Sequence, residues 1–214
     1  MKAAIYVLQR SKNLLFCEAV QKYRITFTYV VPPILLSLAR DRAVDRYDLS
    51  SLEAVLTGAA PAGPDLIQQF QERLKGVVVK QAYGLTEGSG IICVQREKDL
   101  AKGSAGVLVP GIQARVVDEK GNGFDSRGEL LVKGPNIMKG YLNRPEETAR
   151  CIDSNGYYHT GDKAMIDESG HIFIVDRIKE LIKYKGFQVA PAALEDLLLK
   201  HTDVADSAVL FIMI

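Results

Sequence analysis

Ile25-Thr26-Phe27-Thr28-Tyr29-Val30-Val31-Pro32-Pro33 is a β-branched and aromatic run that stops on two prolines. It reads as a strand, because such side chains fit a pleated surface and proline supplies no backbone donor to continue a ladder. Working outward, Ile34 to Arg40 follows as a short helix opened by a proline. Leu52 to Leu56 is a second apolar run, ending at Gly58, and Pro64 to Leu74 carries Leu66, Ile67, Phe70 and Leu74 at helical spacing. Val77-Val78-Val79 is a third strand. This alternation predicts an α/β fold with a parallel sheet and helices on its faces. Ligands of such sheets sit beyond the carboxyl ends of the strands. Those ends are expected at Gly58-Ala59-Ala60-Pro61 and Gln81-Ala82-Tyr83-Gly84-Leu85-Thr86-Glu87.

Beyond residue 105 the pattern changes. From Gly106 to Val175 short strands are separated by turns. Ile112 to Val117 and Glu129 to Val132 flank the hairpin-type stretch Glu119-Lys120-Gly121-Asn122-Gly123. Ala164 to Ile166 and His171 to Val175 flank Asp167-Glu168-Ser169-Gly170. A small antiparallel barrel or sheet is predicted. A third region opens near Asp176, with a helix over Pro191 to Lys200 and a strand over Asp206 to Ile214. The expected division is therefore 1–105, 106–175 and 176–214.

Composition narrows the function. Lys and Arg total 27 against 26 acidic residues, so no field of one sign draws in nucleic acid. Cys17, Cys93 and Cys151 are odd in number and far apart, which argues against a disulfide framework or a zinc site and for free thiols in a reducing, cytoplasmic setting. His159, His171 and His201 lack metal-ligand spacing, and the two that flank strands read as surface histidines. No apolar stretch is long enough to span a bilayer, and the final residues are not a peroxisomal address.

Three segments carry candidate chemistry. In Tyr83-Gly84-Leu85-Thr86-Glu87-Gly88, Gly84 permits close ligand approach, Thr86 offers a hydroxyl and Glu87 a carboxylate, a pair suited to a phosphate and its Mg²⁺. Tyr83 has a ring that can lie on a purine. In Tyr158-His159-Thr160-Gly161-Asp162, a carboxylate after a tight turn can accept both hydroxyls of a ribose. In Asp176-Arg177-Ile178-Lys179-Glu180-Leu181-Ile182-Lys183-Tyr184-Lys185-Gly186-Phe187-Gln188, cations follow an apolar strand, and Arg177 has the forked donors that hold a ribose or a phosphate. Taken singly, each is equally a strand-to-loop connection, a self-bonded turn aspartate, or a solvated hairpin.

Together, and with Gly134-Pro135-Asn136-Ile137-Met138-Lys139-Gly140-Tyr141 between them, these segments resemble the adenylate-forming superfamily, in particular the AMP-binding acyl- and aryl-CoA ligases. Val30-Val31-Pro32-Pro33, Tyr47 to Leu52 and Gly58-Ala59-Ala60-Pro61 fit the same group, and the resemblance covers nearly the whole chain. It implies ATP-dependent activation of an aromatic or medium-chain carboxylic acid as an acyl-adenylate, with Mg²⁺, followed by transfer to CoA. It implies that Tyr83 stacks on adenine, with Gly58, Ala59, Ala60 and Gly84 beside the nucleotide. Thr86 would contact the α-phosphate, Glu87 would serve Mg²⁺, and both count as catalytic. Asp162 and Arg177 would hold the ribose, Lys179 would sit at the interdomain hinge, and Lys183 and Gln188 would approach the adenylate. Lys185, Gly186 and Phe187 would border the CoA channel. Ala82 departs from the glycine usual in plant ligases, which leaves the preferred acid open.

The resemblance also implies a phosphate loop ahead of the Val-Pro-Pro segment and a lysine near the C-terminus. This sequence shows neither, so the chain is expected to hold a partial large adenylation domain and the opening of an α+β C-terminal domain. Three accounts stand side by side: an enzyme whose gene model lost both ends, a non-catalytic relic, and a module that binds a nucleotide, an acyl group or a full-length relative.

Overall fold

The computed structural model describes residues 4–8, 13–60, 62–118, 127–178, 181–184, 187–199, 201, 203–204 and 206–210. They form two compact units, Met1–Lys80 and Gln81–Ile214.

In the first unit α1 (Asn13–Tyr23), β1 (Phe27–Val30), α2 (Pro32–Arg40), β2 (Ala54–Thr57) and α3 (Pro64–Arg73) follow one another. β1 and β2 pair in parallel, from Phe27 opposite Ala54 to Val30 opposite Thr57, as the alternation predicts. Prolines open α2 and α3, where a missing N–H costs nothing. Asp41 ends α2, its N–H reaching the Ser37 carbonyl, and its side chain then accepts from Ala43 N to start a 3-10 turn. Cys17 and Val20 of α1, Leu35 and Leu38 of α2, Val55 of β2 and Phe70 of α3 are fully buried and pack into one core. Each large side chain there contributes roughly 1.5–3 kcal/mol. The strand signals therefore marked this unit, while α1 carried no sequence signal read as a helix.

β3 (Val78–Leu85) begins in the first unit, where Val78 N donates to Glu53 O at 2.8 Å, and runs into the second. The expected loop at Gln81–Glu87 is thus mostly strand: β3 continues to Leu85 and pairs antiparallel with β4 (Gly90–Val94), which pairs with β5 (Val107–Leu108).

β6 (Gln113–Val117), β7 (Gly128–Lys133), β8 (Tyr158–Ile166) and β9 (Ile172–Arg177) form a four-stranded antiparallel sheet in sequence order. The expected β6–β7 connection, Glu119 to Gly123, lies outside the described residues. β7 is central and buried on both faces. Leu130 and Val132 enter one core with Ile92, Ala164 and Ile172, while Leu131 joins Val117 and Tyr157 on the other side. The period of two sorts them. α4 (Pro145–Cys151) precedes β8, and β10 (Ile182–Tyr184) and β11 (Phe187–Val189) form a hairpin ahead of α5 (Pro191–Leu199).

Two expectations are corrected. Residues 206–210 are not a strand. Their polar groups turn instead to α5: Ser207 Oγ donates to Glu195 O at 3.1 Å and Val209 N to Glu195 Oε1 at 2.9 Å. His171 is not at the surface but 4% exposed. Its Nε2 meets Asp99 Oδ1 at 2.9 Å and its Nδ1 stands 3.4 Å from Ser104 Oγ, so both ring nitrogens have partners and burial carries no unmet polar group.

Candidate functional site

The centre of the site is a fault in β8. Opposite β7, His159 faces Leu131 and Lys163 faces Glu129, so Thr160, Gly161 and Asp162 stand against Leu130 alone. Such a bulge bends a strand and re-aims its side chains. The expected tight turn before Asp162 is this bulge, with Gly161 at φ +71° supplying the left-handed step. Several of its polar groups have defined partners. Gly161 N donates to Glu129 Oε1 at 3.1 Å, Ile178 N donates to Gly161 O at 2.8 Å, and Thr160 Oγ1 donates to Leu130 O at 2.7 Å. The other oxygen of Glu129 meets His159 Nδ1 at 3.0 Å. Glu129, read from the sequence only as part of a strand, is thus the residue that pins the bulge.

Asp162 is 6% exposed. Tyr83 Oη donates to its Oδ2, and Arg177, its cross-strand partner on β9, brings Nε to 3.5 Å from Oδ1. Burial pushes the Asp162 carboxyl above its ordinary value, against the hydrogen bond from Tyr83 and the charge of Arg177. Burial, and then the bond to Asp162, push the Tyr83 phenol up, so it stays a donor. Tyr83 and Arg177 lie 79 and 15 positions from Asp162, separations invisible to any periodicity argument; here Tyr83, Asp162 and Arg177 are one cluster.

Tyr83 is placed by a register shift between itself and Gly84. A Cβ on Gly84 would stand 2.0 Å from the Gly90 carbonyl oxygen, so the close strand approach requires glycine. Thr86, Glu87 and Gly88 then form a 3-10 turn closed by Ser89 N to Thr86 O at 3.0 Å. Thr86 is exposed, and Glu87 is half-buried.

Gly134 to Tyr141 holds that turn. Met138 N donates to Glu87 O at 2.7 Å, and Asn136 Nδ2 to Gly88 O at 2.8 Å. Tyr141 Oη donates to Glu87 Oε1 at 2.7 Å, and this bond is the main cause that raises the Tyr141 phenol. Tyr141 closes this segment, and its part in the site comes from a contact 54 positions away that the motif does not encode.

Gly58, Ala59 and Ala60 lie in the first unit, just past β2, where Ala59 is exposed with φ +71°. Left-handed backbone at a residue other than glycine is strained and tends to mark functional turns. Lys183 and Gln188 are cross-strand partners of the β10–β11 hairpin, and Phe187 faces Tyr184. Lys179, Lys185 and Gly186 lie outside the described residues.

Asp99, His171 and Ser104 are aligned in the manner of a hydrolase triad, but Ser104 is fully buried. Its hydroxyl donates to Ile172 O at 3.1 Å and accepts from Gly106 N at 2.8 Å, which makes it a structural plug and not a nucleophile. Among the described residues there is no group of three or more His, Cys, Asp or Glu side chains that could hold a metal ion by itself.

Residues 2–142 match the family model described as AMP-binding enzyme. The chain belongs to the AMP-binding enzyme family. It is 44% identical to 4-coumarate-CoA ligase 1 of Narcissus pseudonarcissus over 98% of this chain and 40% of that protein. Its fold matches the anthranilate CoA ligase AuaEII in complex with anthranoyl-AMP, with a TM-score of 0.85 at 24% identity, over 92% of this chain and 38% of that one. It also matches the O-succinylbenzoate coenzyme A synthetase of Bacillus subtilis, solved with ATP and magnesium ion, with a TM-score of 0.81 at 30% identity, over 95% of this chain and 42% of that one. The chain thus spans about 40% of the length of the curated AMP-binding relatives it matches, and its α/β units are part of the adenylate-forming ligase fold.

Proposed function

We propose that this chain is the adenylate-binding part of an ATP-dependent ligase that joins an aromatic or medium-chain carboxylic acid to CoA. The observation that supports the reading most is the convergence of Tyr83 and Arg177 on the two oxygens of the buried Asp162. A carboxylate fixed on both oxygens is held in one orientation, ready to accept a pair of vicinal hydroxyls. In this reading Asp162 and Arg177 take the ribose and the ring of Tyr83 takes adenine. By the motif resemblance alone, Gly58, Ala59 and Ala60, and separately Gly84, are assigned to the nucleotide. The exposed Thr86 hydroxyl reaches the α-phosphate. The three-domain division read from the sequence, with the hinge at Lys179, Lys183 and Gln188 near the adenylate, and Lys185 to Phe187 beside CoA, belongs to the same proposal.

Glu87 fits Mg²⁺ as one carboxylate of a site completed by phosphate oxygens and water, the usual arrangement for this ion. Bound there with the nucleotide, Mg²⁺ neutralises phosphate charge. The chain's own residues orient the nucleotide: Asp162 through the sugar, Tyr83 through the base, Thr86 through the phosphate. The names of the relatives, ligases of 4-coumarate and anthranilate among them, support an aromatic acid.

The test is calorimetric titration of the chain with AMP, with Asp162→Ala beside it, and acid-dependent pyrophosphate release by a full-length protein that contains this chain. Binding that Asp162→Ala abolishes is expected. AMP binding indifferent to Asp162→Ala would remove the ribose assignment, and release driven by acetate or amino acids in preference to aromatic acids would remove the substrate class.

A further inference from the structure

The segment Gly134–Tyr141 is built around Glu87 more closely than a loop needs to be. Its three contacts fall on successive parts of the 3-10 turn: Met138 N on the Glu87 carbonyl, Asn136 Nδ2 on the Gly88 carbonyl, and Tyr141 Oη on the Glu87 carboxylate. The segment itself is fixed at both ends. Gly134 has no space for a side chain, since a Cβ would stand 2.4 Å from Ile112 Cδ1. At the other end Tyr141 N donates to Thr148 Oγ1 at 2.9 Å, and Gly140, at φ +151°, lies so close that a Cβ would meet Thr148 Cγ2 at 2.7 Å. Behind Tyr141 stands Tyr158, 6% exposed on β8, whose hydroxyl hydrogen-bonds that of Tyr141. The result is a chain of donors, Tyr158 to Tyr141 to Glu87 Oε1, that starts in the core and ends on one oxygen of a half-buried carboxylate. Glu87 Oε2 makes no hydrogen bond among the described residues.

From this arrangement we propose that Tyr141, backed by Tyr158, is a positioning residue that fixes the Glu87 carboxylate by Oε1 and presents Oε2 to the nucleotide-bound divalent cation. The proposal rests on the reading of Glu87 as the residue that serves Mg²⁺. The physical case is one of preorganisation. A glutamate side chain has three rotatable bonds, and freezing it on a cation costs rotamer entropy. A neutral donor on one oxygen supplies that order in advance and leaves the negative charge in place, which a lysine or arginine at the same position would cancel. The bond is also asymmetric: one oxygen is used and one is left, the pattern that suits an ion held by a single carboxylate together with phosphates.

Glu87→Gln and Tyr141→Phe test it in the 214-residue chain. Tyr141 is 40% exposed, so removing its hydroxyl leaves no buried cavity. The measurement is ATP affinity with and without Mg²⁺, alongside metal-free AMP affinity, for both variants and for Tyr158→Phe. Wild type should gain ATP affinity from Mg²⁺, and Glu87→Gln should lose that gain. Tyr141→Phe should reduce the gain about fivefold, the worth of one hydrogen bond. Tyr158→Phe should reduce it less, and metal-free AMP affinity should stay within about twofold in Tyr141→Phe, well below the effect of one hydrogen bond. A full Mg²⁺ gain in Tyr141→Phe with the gain lost in Glu87→Gln overturns the positioning role alone. A full gain in Glu87→Gln, or none in wild type, overturns the metal reading of Glu87 and this role with it. Loss of metal-free AMP binding in Tyr141→Phe would show that the tyrosine serves the fold and not the cation.

Discussion

Tyr83 and Asp162, 79 positions apart in the chain, share a hydrogen bond in which the phenol donates to the carboxylate oxygen Oδ2. The bond joins the β3–β4 pair to the bulge of β8. It also makes Tyr83 more than a flat ring, because the hydroxyl holds the carboxylate proposed to take the sugar.

Tyr83→Phe separates the two roles. The ring and its burial remain, while Asp162 loses one of the contacts that keep it ionised. AMP affinity is expected to fall by about 1.5–3 kcal/mol, the range for a hydrogen bond to a charged group. Calorimetry checks it, and an undiminished affinity would leave the hydroxyl without a part in binding.

The burial of Asp162 sets a pH dependence. Its carboxyl is raised in the folded protein, chiefly by desolvation. As pH falls, the anion is therefore lost at a higher pH than for an exposed aspartate, whose value is about 3.9. Adenosine, which has no phosphate to titrate alongside, should bind more weakly on acidification from a point above that value, and Asp162→Asn should bind weakly throughout. The sign for stability is opposite. A carboxyl raised by folding favours the fold most below its unfolded value and loses that contribution as pH rises through its folded one.

Two glycines should fail for different reasons. Gly84→Ala puts a Cβ against the Gly90 carbonyl at 2.0 Å, a backbone clash with a cost of about 1–3 kcal/mol. Gly161→Ala meets no atom within 4 Å but sits at φ +71°, which costs about 1 kcal/mol through conformation alone. Denaturant melts of both variants should rank Gly84→Ala as the more damaging.

The thiols should differ in reactivity. Cys17 and Cys93 are fully buried, and burial raises the Cys93 thiol to about 12. Cys151 is partly exposed. A thiol reagent at neutral pH should modify Cys151 first, and Cys151→Ser should remove the fast phase. Fast labelling of all three would mean that the cores open under native conditions.

Much of the fold was legible because it depends on short-range patterns. Proline at the heads of α2 and α3, branched residues in β1, and the apolar run in β7 are local signals that the packed structure keeps. The continuation of β3 through Tyr83 to Leu85 was not legible, because Gly84 is unfavourable in a strand and only the pairing with β4 overrides it. His171 looked exposed because its two partners, Asp99 and Ser104, come from 72 and 67 residues away. For the site, motif order supplied Tyr83, Glu87, Asp162 and Arg177, whereas Tyr141, Tyr158 and Glu129 act through contacts that no spacing encodes.

The bulge of β8 adds two residues, not one, opposite Leu130. Side chains along a strand change face at every step, so an odd insertion would invert everything on one side of it, and an even insertion preserves parity. Tyr158 and Ala164, on either side of the bulge, therefore stay in the same core. Deleting a single residue between His159 and Lys163 would break that parity and turn the buried face of the strand outward. Deleting Gly161 and Asp162 together would restore a regular ladder, with the core in phase and the carboxylate proposed for the ribose gone. In β8 the instructions for folding and for recognition are thus written in separable lengths of chain.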